Sequence, residues 1–153
     1  MSEAVYIETS ILGYLTARST KNLILAANID ITNDWWESRR NAFMLYTSEA
    51  VLNEVAQGDA EIAAQRLETL HDFPLLELNQ SVQALAAQFL ARSSLPPKAN
   101  VDAIPIAAAT VHGMDYLLTW TANILPTLKF RENWQRLVLI SATSYRSFAH
   151  PTS

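Results

Sequence analysis

Short runs of almost purely apolar residues recur along this chain, alternating over most of its length with stretches of helical spacing. They are "AVYI" (Ala4 to Ile7), "FMLYTS" (Phe43 to Ser48), "PLLEL" (Pro74 to Leu78), "YLLTW" (Tyr116 to Trp120) and "RLVLISA" (Arg136 to Ala142). A strand with one wet face alternates apolar and polar residues, whereas an apolar strand must be covered on both faces. Such strands alternating with helices predict an α/β fold around a central parallel sheet of four to five strands. In folds of that kind ligands sit at the C-terminal ends of the strands, so chemistry is sought there.

The intervening stretches carry helix signals. In "TSILGYLTA", Thr9 or Ser10 can cap a helix. A second helical stretch runs from Lys21 to about Asn41, and Asn33 or Asp34 could open a separate helix within it. "SEAVLNEVAQG" offers Ser48 as cap and Gly58 as stop, and Asp59 caps the helix after it. "NQSVQALAAQFLARSSL" places Val82, Leu85, Ala86, Phe89 and Leu90 at helical spacing. In "NVDAIPIAAATVHG", Pro105 is tolerated only in a first turn, so the helix is expected to begin close to Val101 or Asp102.

Composition narrows the chemistry. With 153 residues, half of them apolar, the chain is read as one domain, 1–153, able to build a core. It has no cysteine, which removes disulfides, a thiolate zinc site and a cysteine nucleophile. The start, "MSEAVYIETS", does not read as a signal peptide, and no apolar run approaches the roughly 20 residues that span a bilayer. A cytoplasmic protein without a membrane partner is expected. The net charge of −4 excludes a simple basic nucleic-acid coat. It leaves room for a nuclease whose acids hold a metal.

Three acids from distant parts of the chain fall near the expected strand ends. Glu8 directly follows the first strand, Glu54 lies on the helix after the second, and Asp102 opens the alanine-rich helix before "YLLTW". Clustered carboxylates repel one another, and a hard divalent cation relieves the repulsion. Such a site suits hydrolysis of a phosphodiester.

Taken together, "VYIETSILGYL", "TSEAVLNEV", "VDAIPIAAA" and "HGMDYLLTW", in this order and at these separations, resemble a PIN-domain protein of the bacterial VapC-like branch. The resemblance covers about Val5 to Asn123. It implies a three-layer α/β/α sandwich and a ribonuclease dependent on Mg2+ or Mn2+, often the toxin of a toxin–antitoxin pair. Carried over by motif, Glu8, Glu54 and Asp102 stand at the catalytic acids, and Thr9 and Thr119 at small hydroxyl positions beside them. Glu8 and Asp102 are then the main metal ligands. Glu54 acts through water or from outside the ligand shell, and Thr119 orients a water or ligand. RNA, a cognate antitoxin and a second copy of the chain are the implied partners, with the apolar surface of the early helices as the contact. After "LLTW" the family commonly supplies an aspartate or asparagine. This chain has Thr121, with Asn123 two residues on, as the remaining candidate ligands. That departure keeps a non-cleaving scaffold, binding RNA or a protein, as the alternative.

Other residues have plainer readings. Arg39 and Arg40 are read as a solvated face, with a phosphate contact as the functional alternative. Glu49 is read as capping or surface, His112 as a helix-end residue, and Asp115 as structural. Adjacent Trp35 and Trp36 cannot both face one core, so one is expected to be buried and the other half-exposed.

Overall fold

The computed structural model describes residues 2–92, 102–120 and 137–142. Five strands form one sheet: β1 (Glu3–Ile7), β2 (Phe43–Ser48), β3 (Leu75–Leu76), β4 (Tyr116–Trp120) and β5 (Leu137–Ser141), in the order β3-β2-β1-β4-β5. The first four are parallel, and β5 runs antiparallel to β4. The described helices are α1 (Thr9–Leu15), α2 (Leu23–Arg39), α3 (Glu49–Val55), α4 (Ala60–Leu70), α5 (Gln80–Arg92) and α6 (Ile104–Val111). The architecture is α/β, a three-layer sandwich with a parallel sheet at its centre.

The register fixes where the strands end. Val5, Tyr6 and Ile7 lie opposite Tyr116, Leu117 and Leu118. On the other side, Glu3 to Tyr6 pair with Phe43 to Tyr46. The chain leaves β1 toward β2 on one side and returns to β4 on the other. The order therefore reverses at the β1–β4 boundary, which is where open α/β sheets place their crevice.

Burial explains the apolar strands. Val5, Ile7 and Leu117 are fully buried, as are Ile11 and Leu12 of α1. Each such side chain contributes about 1.5–3 kcal/mol relative to leaving it in water. Helix α6 is buried from Pro105 to Thr110 almost all round, and alanines at 107–109 allow its backbone to approach the sheet. Trp36 is buried and Trp35 half-buried, which settles the tryptophan pair as expected.

Several boundaries moved for local reasons. Helix α6 begins at Ile104, two to three residues later than expected, with Ala103 as cap and Pro105 in its first turn. Helix α2 is continuous, because the Asn33 amide donates to Ile29 O at 2.9 Å instead of capping a new helix. The third strand shrinks to the two residues that pair with Thr47 and Ser48. Ser48 and Asp59 cap α3 and α4 as their positions suggested.

Helix α6 stops at a left-handed glycine. Gly113 has φ 68°, its N–H reaches Thr110 O at 3.2 Å, and Met114 N–H reaches Ala109 O at 2.9 Å. This paired closure satisfies the last carbonyls and turns the chain directly into β4. A Cβ at Gly113 would touch nothing within 4 Å, so any penalty there is purely conformational. Gly113→Ala is expected to lower unfolding free energy by about 1–2 kcal/mol, read as a lower urea midpoint at unchanged slope.

Candidate functional site

The site grows from the end of β1. Its backbone ladder continues one residue past the strand, with Glu8 N–H donating to Leu118 O at 3.2 Å. Glu8 is therefore held abreast of the end of β4, where the chain first emerges from the core. Glu8 is also the N-cap of α1, since its carboxylate accepts from Ser10 N–H at 2.9 Å. The cap thus falls one residue before Thr9 and two before Ser10, the positions expected for it.

One oxygen of Glu8 carries most of the anchoring. Oε2 accepts from Ser10 N–H, from Ser10 Oγ at 2.5 Å and from Thr119 Oγ1 at 3.0 Å. Ser10 Oγ in turn accepts from Trp120 N–H at 3.1 Å. The network ties the first turn of α1 to the end of β4 and clamps the carboxylate between them. It leaves Oε1 without a hydrogen bond among the described residues. Thr119 is fully buried, and its hydroxyl orients Glu8 rather than lying open to solvent.

Glu54 comes from α3 and meets Thr9, whose side chain hydrogen-bonds to it. Partial desolvation raises the Glu54 pKa above the ordinary carboxylate value; the Thr9 hydrogen bond opposes this, and the negative charges of Glu8 and Asp102 add to it. Asp102 stands at the mouth of α6, and its Oδ1 accepts from Ile104 N–H at 3.0 Å. It is exposed, just outside the cap residue. Beneath the acids lies Tyr6, whose hydroxyl is 2.7 Å from Ser48 Oγ in a buried hydrogen bond. Burial pushes the Tyr6 phenol up to about 12; Ser48 opposes the shift, and Glu8, Glu54 and Asp102 all add to it. All three acids therefore share one electrostatic neighbourhood.

The oxygen-only donor set suits a hard divalent cation. Among the described residues, however, no three carboxylates or histidines stand close enough to form a ready-made metal cage. The arrangement fits an ion bound by one or two carboxylates with water completing its shell, as magnesium prefers. Glu8 Oε1 and Asp102 Oδ2 are the oxygens left for that role, with Glu54 further out.

The remaining candidates divide clearly. Thr121 and Asn123 lie outside the described residues. Arg39 and Arg40 are not brought to the acids. They flank Phe43, which pairs with Glu3 at the opposite end of the strands. Five residues of strand, about 17 Å, separate that end from Glu8. Their guanidinium groups lie over Phe43 and Trp36, at 5.9 and 5.6 Å from the ring centroids. This places the pair on an aromatic surface away from the three acids. Glu49 is exposed in the first turn of α3 and lines an open groove of about 450 Å3 with Asn53 and Leu75 to Leu78, apart from the three acids. His112 caps α6, and its Nε2 lies 2.6 Å from Glu77 O. Asp115 bonds to Ala4 N–H at 2.8 Å, a structural role.

Tyr6, and Ser10 and Ser48 beyond their reading as helix caps, are site residues that the sequence reading did not place there. Ser10 stands two residues after an acid at a strand end, a spacing that permits a side-chain clasp across a helix start. Tyr6 and Ser48 meet across 42 residues of sequence, and no local pattern connects them. Compared with protein-family models, curated proteins and solved structures, the chain matches none of them.

The electrostatics carry a signed expectation. Folding raises the Glu54 pKa above its unfolded value near 4.5, so the folded state loses stability as pH rises through and beyond that value. Glu54→Gln keeps an acceptor for Thr9 and removes the charge. The variant is expected to melt slightly higher than wild type at pH 7, by less than about 1 kcal/mol because solvent screens the exposed group. The gain should vanish below about pH 4, where the carboxyl is protonated in both states; scanning calorimetry at the two pH values checks it.

Proposed function

We propose that this protein is a metal-dependent ribonuclease of the PIN-domain type, the toxin of a toxin–antitoxin pair. The observation that supports the reading is that Glu8, Glu54 and Asp102, from three separate segments, share one electrostatic neighbourhood around the end of β1 and are met there by hydroxyls. A Mg2+ or Mn2+ ion held there supplies the charge that polarises a phosphate and eases deprotonation of water. The chain's own residues do the rest. Ser10 and Thr119 hold Glu8 by one oxygen and leave the other without a hydrogen bond among the described residues. Thr9 steadies Glu54, whose raised pKa suits it to take a proton from an attacking water. Asp102 presents its second oxygen from a backbone-anchored turn.

Partner surfaces accord with the same reading. Leu23 and Ile24, at the start of α2, are 84% and 76% exposed, and Ile31 lies further along the same helix at 49%. An antitoxin or a second copy of the chain would cover such a face.

The second reading is a PIN scaffold that binds without cutting. The absence of a close three-acid group among the described residues favours it. Manganese titration separates the two, since the nuclease binds the ion and the scaffold does not. With Mg2+ or Mn2+, wild type is expected to cleave single-stranded RNA, and chelation should abolish the cleavage. Asp102→Asn should lower the rate by about 100-fold or more. Equal rates in wild type and variant would remove Asp102 from the mechanism.

A further inference from the structure

An acidic protein that binds RNA needs a local source of positive charge. Six cations fall among the described residues: Arg18, Lys21, Arg39, Arg40, Arg66 and Arg92. Arg39 and Arg40 lie over aromatic rings at the far end of the sheet. Arg18, Lys21 and Arg66 gather elsewhere, around the C-terminal end of α1.

Arg66 is held in an unusual way. It projects from α4 and donates from Nε to Thr16 Oγ1 at 2.9 Å. Thr16 follows α1 as its C-cap, and its hydroxyl donates to Leu12 O at 2.8 Å. Leu12 is fully buried. The guanidinium is thus fastened through a hydroxyl to a rigid helix. A guanidinium offers two forks for an oxyanion, one using Nε and one using the two Nη groups. Thr16 occupies the first and leaves the second. The side chain is half-buried, and the only ion pair among the described residues joins His71 to Asp72. Arg66 therefore holds a fastened, charged fork that meets no carboxylate among the described residues. Arg18 and Lys21 are exposed in the loop that continues from Thr16.

The distance to the acids is short. Glu8 and Thr16 are the N- and C-caps of α1, so eight residues at 1.5 Å rise separate them, about 12 Å. A short stretch of single-stranded RNA can bridge that span.

We infer that Arg66, locked by Thr16, grips a backbone phosphate of single-stranded RNA, with Arg18 and Lys21 continuing the track away from the three acids. The inference rests on RNA being the ligand of the proposed site, and it does not require cleavage. Two phosphate contacts of different kinds follow. Arg66 gives a directional, preorganised one, and the loop cations give diffuse attraction.

The test is fluorescence anisotropy of a labelled single-stranded RNA of mixed sequence, in EDTA, from about 50 to 200 mM salt. Wild type, Arg66→Ala, Arg66→Lys and the loop variant Arg18→Glu/Lys21→Glu are compared, with circular dichroism and melting as folding controls. Arg66→Ala is expected to reduce the slope of log affinity against log salt by about 0.7, one phosphate contact on a single strand. Arg66→Lys should retain the slope and lose affinity. The loop variant should weaken binding at low salt, and it remains informative if Arg66→Ala fails to fold. Binding by wild type with unchanged slope and affinity in the folded variants overturns the inference and leaves the nuclease reading intact. Binding with the expected losses but no cleavage in Mn2+ upholds the inference and sinks the nuclease. No binding of RNA by wild type in EDTA overturns the inference, and cleavage in Mn2+ then decides the nuclease reading separately.

Discussion

Strand β1 has a parallel neighbour on each side, and the position of every acid is set relative to it. Because Val5, Tyr6 and Ile7 are enclosed by helices above and below and by β2 and β4 at the sides, the chain has no access to water until Glu8. One more ladder hydrogen bond, Glu8 N–H to Leu118 O, then fixes the backbone of the first acid before its side chain begins. A carboxylate on a loop would have to be ordered by its ligand. This one is ordered by the sheet, and the ordering entropy is already spent when a ligand arrives.

Around that fixed point the structure accepts an electrostatic conflict and contains it with hydroxyls. The pKa of Glu54 is raised partly because Glu8 and Asp102 are near. Thr9, Ser10 and Thr119 donate to or contact the acids, and none of them carries charge that would cancel the field. An ordinary structural cluster would use lysine or arginine and form salt bridges. Neutral donors hold the carboxylates in place while leaving their negative potential unspent, which is the condition for attracting a cation.

The two ends of the sheet have opposite characters. At the C-terminal end are acids and hydroxyls. At the N-terminal end, Phe43 stacks with Trp35 and Trp36 with Phe73, with Arg39 and Arg40 lying over the rings. Helix α2 links the two regimes: its Thr32 accepts from the Trp120 indole at 3.1 Å near the acid end, and its last residues join the aromatic surface. One helix thus touches both the end of the sheet that bears the acids and the end where the arginines lie over the rings.

The sequence alone determined the elements whose signals are local. Apolar runs became strands, Ser48 and Asp59 became caps, Gly113 became a left-handed stop, and the acids at strand ends marked the candidate site. These follow from periodicity and backbone stereochemistry, which act over a few residues. Tertiary structure decided what depends on neighbours distant in the chain: that β5 runs antiparallel, that Tyr6 meets Ser48, that Ser10 joins Trp120 to Glu8, and that Arg66 of α4 is fastened to Thr16 at the end of α1. Hydrogen bonds and charges act through space, so their partners are settled only when packing brings separate segments together.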